Sequence, residues 1–177
     1  MSPRTQAHRV GPNPGLVYGT KGAKMREWHG SKPSSLAGYL EAMSFAIFTA
    51  GINWKVVDAK WEGIRKAFAG FDVETVAAMS PGDVDRLAGD PRMIRNRRKI
   101  EAIVDNAGRM LELDQARGGF GGYLGSHGGF EGILADLKKN FGFLGDSSAY
   151  YFLAAVGEPV PPREQCAPTH GGAKEMS

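Results

Sequence analysis

Phe48-Thr49-Ala50-Gly51-Ile52-Asn53-Trp54-Lys55-Val56-Val57 joins two helical patterns through a turn only a few residues long. Upstream of it, Leu36, Leu40, Met43, Ile47 and Phe48 recur at intervals of three and four and trace one helix face. Ala50-Gly51-Ile52 ends that helix in a short turn, and Asn53 is placed to cap the next. Downstream, Trp54, Val57, Trp61, Ile64 and Phe68 share a stripe that stops at Gly70. The alternation that marks a strand does not compete, so the fold class expected is all-α.

The same punctuation continues outward. Asp72 caps a short helix running through Met79, and Ser80-Pro81-Gly82-Asp83 sets a cap, a first-turn proline and an acid in the order a helix start prefers. After a break at Gly89-Asp90-Pro91, the residues Ile100, Ile103, Val104, Ala107, Met110 and Leu111 define the longest helix, from about Ile94 to Ala116. The glycine-rich run from Gly118 to Gly129 ends it. Ile133, Leu134 and Leu137 suggest another helix, and Tyr150, Tyr151, Leu153 and Val156 a last one. The expected organisation is an N-terminal arm at 1–31, a helical domain at 32–158 and a C-terminal tail at 159–177.

A chain of 177 residues suits one domain with its own core. The single cysteine, Cys166, excludes an internal disulfide. No apolar run approaches the roughly 18 residues a membrane helix needs, and the first residues lack a signal-peptide pattern, so a cytoplasmic protein without a membrane partner is expected. The net charge of +3 decides nothing; where the charge sits is more informative. Arg92, Arg95, Arg97, Arg98 and Lys99 crowd the start of the long helix, where they repel one another and oppose the helix dipole. Such a cluster is either a solvated helix start or a seat for a polyanion.

Two further segments have double readings. Gly142-Phe143-Leu144-Gly145 is a plain helix-helix turn, or a hairpin whose glycines and following helix start hold a phosphate while Phe143 and Leu144 pin the helices. The tip at Gly51-Ile52 with Trp54 behind it is core, or a wedge that parts a base pair and a platform that stacks on the base coming out.

The stretches Phe48 to Val57, Ala67-Phe68-Ala69-Gly70-Phe71-Asp72 with Val76-Ala77-Ala78-Met79, and Ile94-Arg95-Asn96-Arg97-Arg98-Lys99-Ile100 with Asn106-Ala107 together resemble the DNA-3-methyladenine glycosylase I family. The resemblance spans about Leu36 to Gly157. It implies a helix-hairpin-helix glycosylase that bends duplex DNA, flips an alkylated adenine and hydrolyses its N-glycosidic bond. Carried over by residue, it implies Gly51 and Ile52 as the wedge and Trp54 as the stacking platform. It further implies DNA contacts from Gly142, Gly145 and Ser147, and from the cations Arg95, Arg97, Arg98 and Lys99.

Two departures from the family, and two comparisons with its wider superfamily, concern chemistry. Where the family has a base-binding glutamate, alignment on Trp54 puts Ala46, which can make no hydrogen bond through its side chain. The family's zinc uses two cysteines and two histidines, whereas this chain has Cys166 and His170 near one end and His8 and His29 near the other; no metal and no cofactor are expected. The lyase-type relatives carry a lysine after the hairpin where this chain has Ser147 and Ser148, so strand cleavage is not expected. Glu164 falls near the catalytic acid of the wider superfamily and is the candidate for that role. An alkylated purine is already a cationic leaving group, and Trp28, Phe45, Phe48 and Trp54 could offer it π faces. The expectation is a monomeric, monofunctional glycosylase acting on double-stranded DNA, with a non-catalytic lesion-binding protein as the alternative and a helical module without a nucleic-acid partner as a third possibility.

Overall fold

Ser35 starts α1 (Leu36–Thr49) by accepting the Gly38 amide hydrogen, in a computed structural model that describes residues 32–162. From Tyr39 to Phe48 every residue of α1 is buried, Glu41 and Ser44 included, so the helix buries more than the one face its apolar spacing traces and is the central helix of the core. Asn53 caps α2 (Trp54–Ala67) through the Lys55 amide. Within that expected stripe Val57, Trp61, Ile64 and Phe68 have no exposure. Trp54, at its start, keeps part of its surface.

A tight 3-10 turn (Ala69–Phe71) then reverses the chain, with Ala69, Gly70 and Phe71 all at positive φ. For Ala69 and Phe71 that backbone is strained. The strain is offset where Phe71 packs between two parallel rings, Trp61 at 5.5 Å and Phe68 at 5.3 Å.

Asp72 caps α3 (Val73–Ala77) through Thr75, and Ser80 with Asp83 forms a reciprocal capping box at α4 (Pro81–Gly89). The longest helix, α5 (Arg97–Ala116), begins later than the sequence pattern suggests. Asn96 is its cap, accepting the Lys99 amide, which leaves Ile94 and Arg95 in the preceding loop. α3 and α4 pack on α5.

The glycine-rich run holds a helix that periodicity did not show, α6 (Phe120–Gly125), packed on α5. Phe120, Tyr123 and Leu124 are its buried residues. Its start is fixed from outside, by the Asp114 carboxylate accepting the Phe120 amide at 2.8 Å. α7 (Phe130–Asn140) leads through the hairpin to α8 (Asp146–Ala155), which lies against both α7 and α1. Among the described residues no helix is long and apolar enough to cross a membrane.

Candidate nucleic-acid interface

The turn between α1 and α2 is built to stand out. Gly51 is exposed, with φ +76°, a conformation that favours glycine. Ile52 is partly buried at its base, its amide bonded to the Thr49 carbonyl. The Thr49 hydroxyl donates back to the Phe45 carbonyl at 2.8 Å, which tightens the end of α1. Trp54 sits one residue past the cap with Lys55 Nζ 6.0 Å from its ring centre. Ile52 and Trp54 both keep part of their surface, on either side of the exposed Asn53.

The five cations separate into three kinds. Arg92 is committed to Asp90: its backbone amide, Nε and Nη2 all donate to that carboxylate, the shortest at 2.6 Å. These hydrogen bonds hold the Asp90 carboxyl at a pKa of about 2. Arg97 spans Asp85 at 2.8 Å and Glu101 at 3.2 Å. Lys99, expected on the surface, is instead 5% exposed and turned inward. Its ammonium donates to the Ala50 carbonyl at 2.6 Å and the Phe48 carbonyl at 3.4 Å, and burial draws its pKa below the ordinary lysine value. Arg95 and Arg98 are exposed and, among the described residues, have no ion pair. Two of the five charges are thus paired with acids and a third is buried against carbonyls, which leaves Arg95 and Arg98, beside the α5 start, without an ion pair among the described residues. Lys60 fixes this loop from α2 by donating to the Pro91 and Met93 carbonyls, both at 3.2 Å.

The hairpin is held by a side chain whose role the sequence did not show. Asn106, 2% exposed on α5, accepts the Gly142 amide at 2.8 Å and donates to the Gly142 carbonyl at 3.0 Å. A Cβ on Gly142 would come within 3.3 Å of the Ala102 Cβ, so a larger residue there would require Ala102 to give by a few tenths of an ångström. Leu144 pins the helices as expected, at 4% exposure. Phe143 does not: it is 47% exposed and sits at φ +58°. Gly145 precedes α8 with no side chain capping the helix, and Ser147 is exposed in its first turn, so amide hydrogens there remain open to an acceptor from outside. Asp146, the acid in that turn, pairs with Lys138.

The expected aromatic lining is divided. Phe48 has no exposed surface and belongs to the core, against Trp61 at 6.3 Å and Phe68 at 6.5 Å; it offers no face to a base. Phe45 is 8% exposed and meets Trp61 edge-on at 5.0 Å. Ala46 is 6% exposed beside it. Trp28 and Glu164 lie outside the described residues, as do Cys166, His8, His29 and His170.

A carboxylate absent from the sequence expectations is Glu41, buried on α1. It accepts the Trp61 indole N–H at 2.9 Å, with Arg65 Nε at 3.8 Å. An acid between Leu40 and Ala42 in an otherwise apolar helix was the available signal, since a charge is buried only where partners await it. Its bonds tie α1 to α2.

A profile of the methyladenine glycosylase family matches residues 26–133, a span that ends before the hairpin. The chain is 29% identical over 129 residues to a DNA-3-methyladenine glycosylase of Haemophilus influenzae, covering 61% of this chain and 70% of that one. Over 66 residues it is 46% identical to DNA-3-methyladenine glycosylase 1 of Escherichia coli, 37% of this chain and 35% of the relative. Among solved structures, 3-methyladenine DNA glycosylase I of Staphylococcus aureus superposes with a TM-score of 0.68 at 28% identity, over 83% of this chain and 92% of that one. The helical architecture, the order of turn, basic helix start and hairpin along it, and these likenesses agree: the chain belongs to the methyladenine glycosylase family of DNA-repair N-glycosyl hydrolases.

Proposed function

We propose that this protein is a monofunctional DNA glycosylase that flips an alkylated purine such as 3-methyladenine out of duplex DNA and hydrolyses its N-glycosidic bond. The observation that carries the proposal is the turn at Gly51-Ile52: it is uncovered and backed by a Trp54 that keeps open surface while the rest of its stripe is fully buried. Ile52 fills the space the base leaves and Trp54 stacks on the base. Arg95, Arg98 and the hairpin from Gly142 to Gly145, with the first turn of α8, hold the phosphates on either side.

An N3-alkylated deoxyadenosine carries a positive charge on the base; when the bond to C1′ breaks, its electron pair leaves with the base, which becomes neutral, and the positive charge passes to the sugar. Water adds its oxygen to C1′, and one proton is released as the neutral base and an abasic sugar form. The protein's task is to orient the sugar and exclude bulk water, which reduces the need for an acid at position 46. Glu164 is retained as the group proposed to assist the water.

A second function is favoured by one observation. Ala46 has no carboxyl group, and the nearby buried acid, Glu41, is taken up by Trp61 and Arg65; a protein that binds lesions without cleaving them would look the same. Incubation with methylated duplex DNA separates the two. Free methylated base in the supernatant is the expected result; normal duplex binding with no base released would establish the second function.

A further inference from the structure

Lys99 and Asn106 are buried polar residues on α5 that the proposed chemistry does not use. They are seven residues apart, two turns of helix, so they share a face and stand about 10 Å apart along the axis. From that face Lys99 reaches two carbonyls at the end of α1 and the wedge turn. Asn106 grips both backbone polar groups of Gly142 at the hairpin. The wedge and the hairpin belong to segments some ninety residues apart, and α5 bonds to both.

We propose that Lys99 and Asn106 are positioning residues which hold the wedge turn and the phosphate-binding hairpin in register on one face of α5, so that gripping the backbone and parting the base pair occur together. Neither touches DNA. Lys99 acts through Ala50, whose carbonyl is one residue from Gly51; Asn106 acts through Gly142. A lysine spent only on stability could be replaced by a buried apolar residue without effect on the turn. Here the ammonium is the group that ends the carbonyl row of α1 while its neighbours Arg95 and Arg98 remain exposed, so the phosphate contacts and the wedge are tied to the same helix start.

The proposal rests on the wedge and hairpin roles given above, and the experiment is arranged to separate the two. Lys99→Met and Asn106→Ala are compared with the unaltered protein in three measurements. These are affinity for undamaged duplex, single-turnover release of methylated base at saturating protein, and fluorescence of 2-aminopurine beside the lesion, which reports unstacking. Loss of a charge-assisted bond predicts that Lys99→Met lowers release and the unstacking signal about tenfold. Its duplex affinity stays within about twofold, because no phosphate contact is removed. Asn106→Ala shows the reverse split, weakening duplex affinity about tenfold while release at saturation changes little. Lys99→Arg, which keeps the cation and its donors, restores part of the unstacking signal.

A further measurement needs no DNA and uses Lys99→Gln should Lys99→Met not fold. Hydrogen exchange of the Ile52 amide, which is bonded to the Thr49 carbonyl, should quicken about tenfold, with the amides of α8 unchanged. Unchanged exchange at the turn, or equal losses of affinity and release in both variants, would overturn the proposal. If the unaltered protein binds no duplex, the glycosylase function fails and hydrogen exchange alone decides whether Lys99 fixes the turn.

Discussion

The indole N–H of Trp61 donates to Glu41 Oε1 over 2.9 Å, joining the two helices that flank the wedge turn. The bond is buried, so the two groups depend on each other unequally. Trp61→Phe leaves a carboxylate without its donor and opens space in the aromatic stack. A loss of about 3 kcal/mol is expected, measured by urea unfolding. Glu41→Gln keeps an acceptor for the indole. It should leave base release within about twofold and lower stability by about 1 kcal/mol. A collapse of base release in folded Glu41→Gln would instead make Glu41 the pocket acid.

The division among the basic residues gives each a separate signature. Removing one phosphate contact lowers the slope of log affinity against log salt by about 1. Arg95→Ala and Arg98→Ala should each do so. Arg92→Ala, whose guanidinium is held by Asp90, should not. Duplex binding measured across a range of salt concentrations reads all three variants, and equal slopes for Arg98→Ala and the unaltered protein would remove Arg98 from the interface.

Phe143 is both strained and exposed, at φ +58° and 47% exposure. Phe143→Gly relieves a left-handed backbone but adds freedom to the unfolded chain, so stability should change by less than about 1 kcal/mol. Duplex affinity should nevertheless fall several-fold if the ring lies against the DNA backbone. Unchanged affinity would show that the ring is merely tolerated there.

Asp90 sets an acid limb. Its carboxyl titrates at about 2 in the folded chain against an ordinary 3.8, because the Arg92 side chain and then the Arg92 amide hydrogen-bond its charged form. As pH falls, the unfolded chain takes up the proton first. The contribution is therefore complete above about pH 4 and lost between about 4 and 2. Asp72 and Asp83, also held below their ordinary values, share that limb. Asp90→Asn should flatten the fall in the urea midpoint across this window without abolishing it; an unaltered slope would contradict the assignment.

Much of this was legible in the chain because the deciding signals are local. Asn53, Asp72 and Ser80 with Asp83 each cap the helix that follows them, and the apolar spacing of α1, α2 and α5 needs no distant partner to be seen. α6 was not legible. Gly121 and Gly122 dilute its pattern, and its stability comes from Asp114 and from packing against α5, with the Tyr39 side chain of α1 so close that a Cβ added at Gly121 would lie 3.1 Å from its hydroxyl. The interface was legible as a set of segments and not as a set of contacts. Nothing in Arg97-Arg98-Lys99 distinguishes the lysine that turns inward, because its partners are carbonyls about fifty residues away. Phe48 likewise reads as an available ring until Trp61 and Phe68 are seen to enclose it.

The most direct test uses an end-labelled duplex methylated to give one or a few lesions per strand. The protein is added, and half of each sample is then treated with alkali, which breaks the backbone at abasic sites. Breaks at adenines are expected only after alkali, since the enzyme removes the base and leaves the strand intact. Duplex that is bound yet shows no breaks even after alkali would contradict the proposed function.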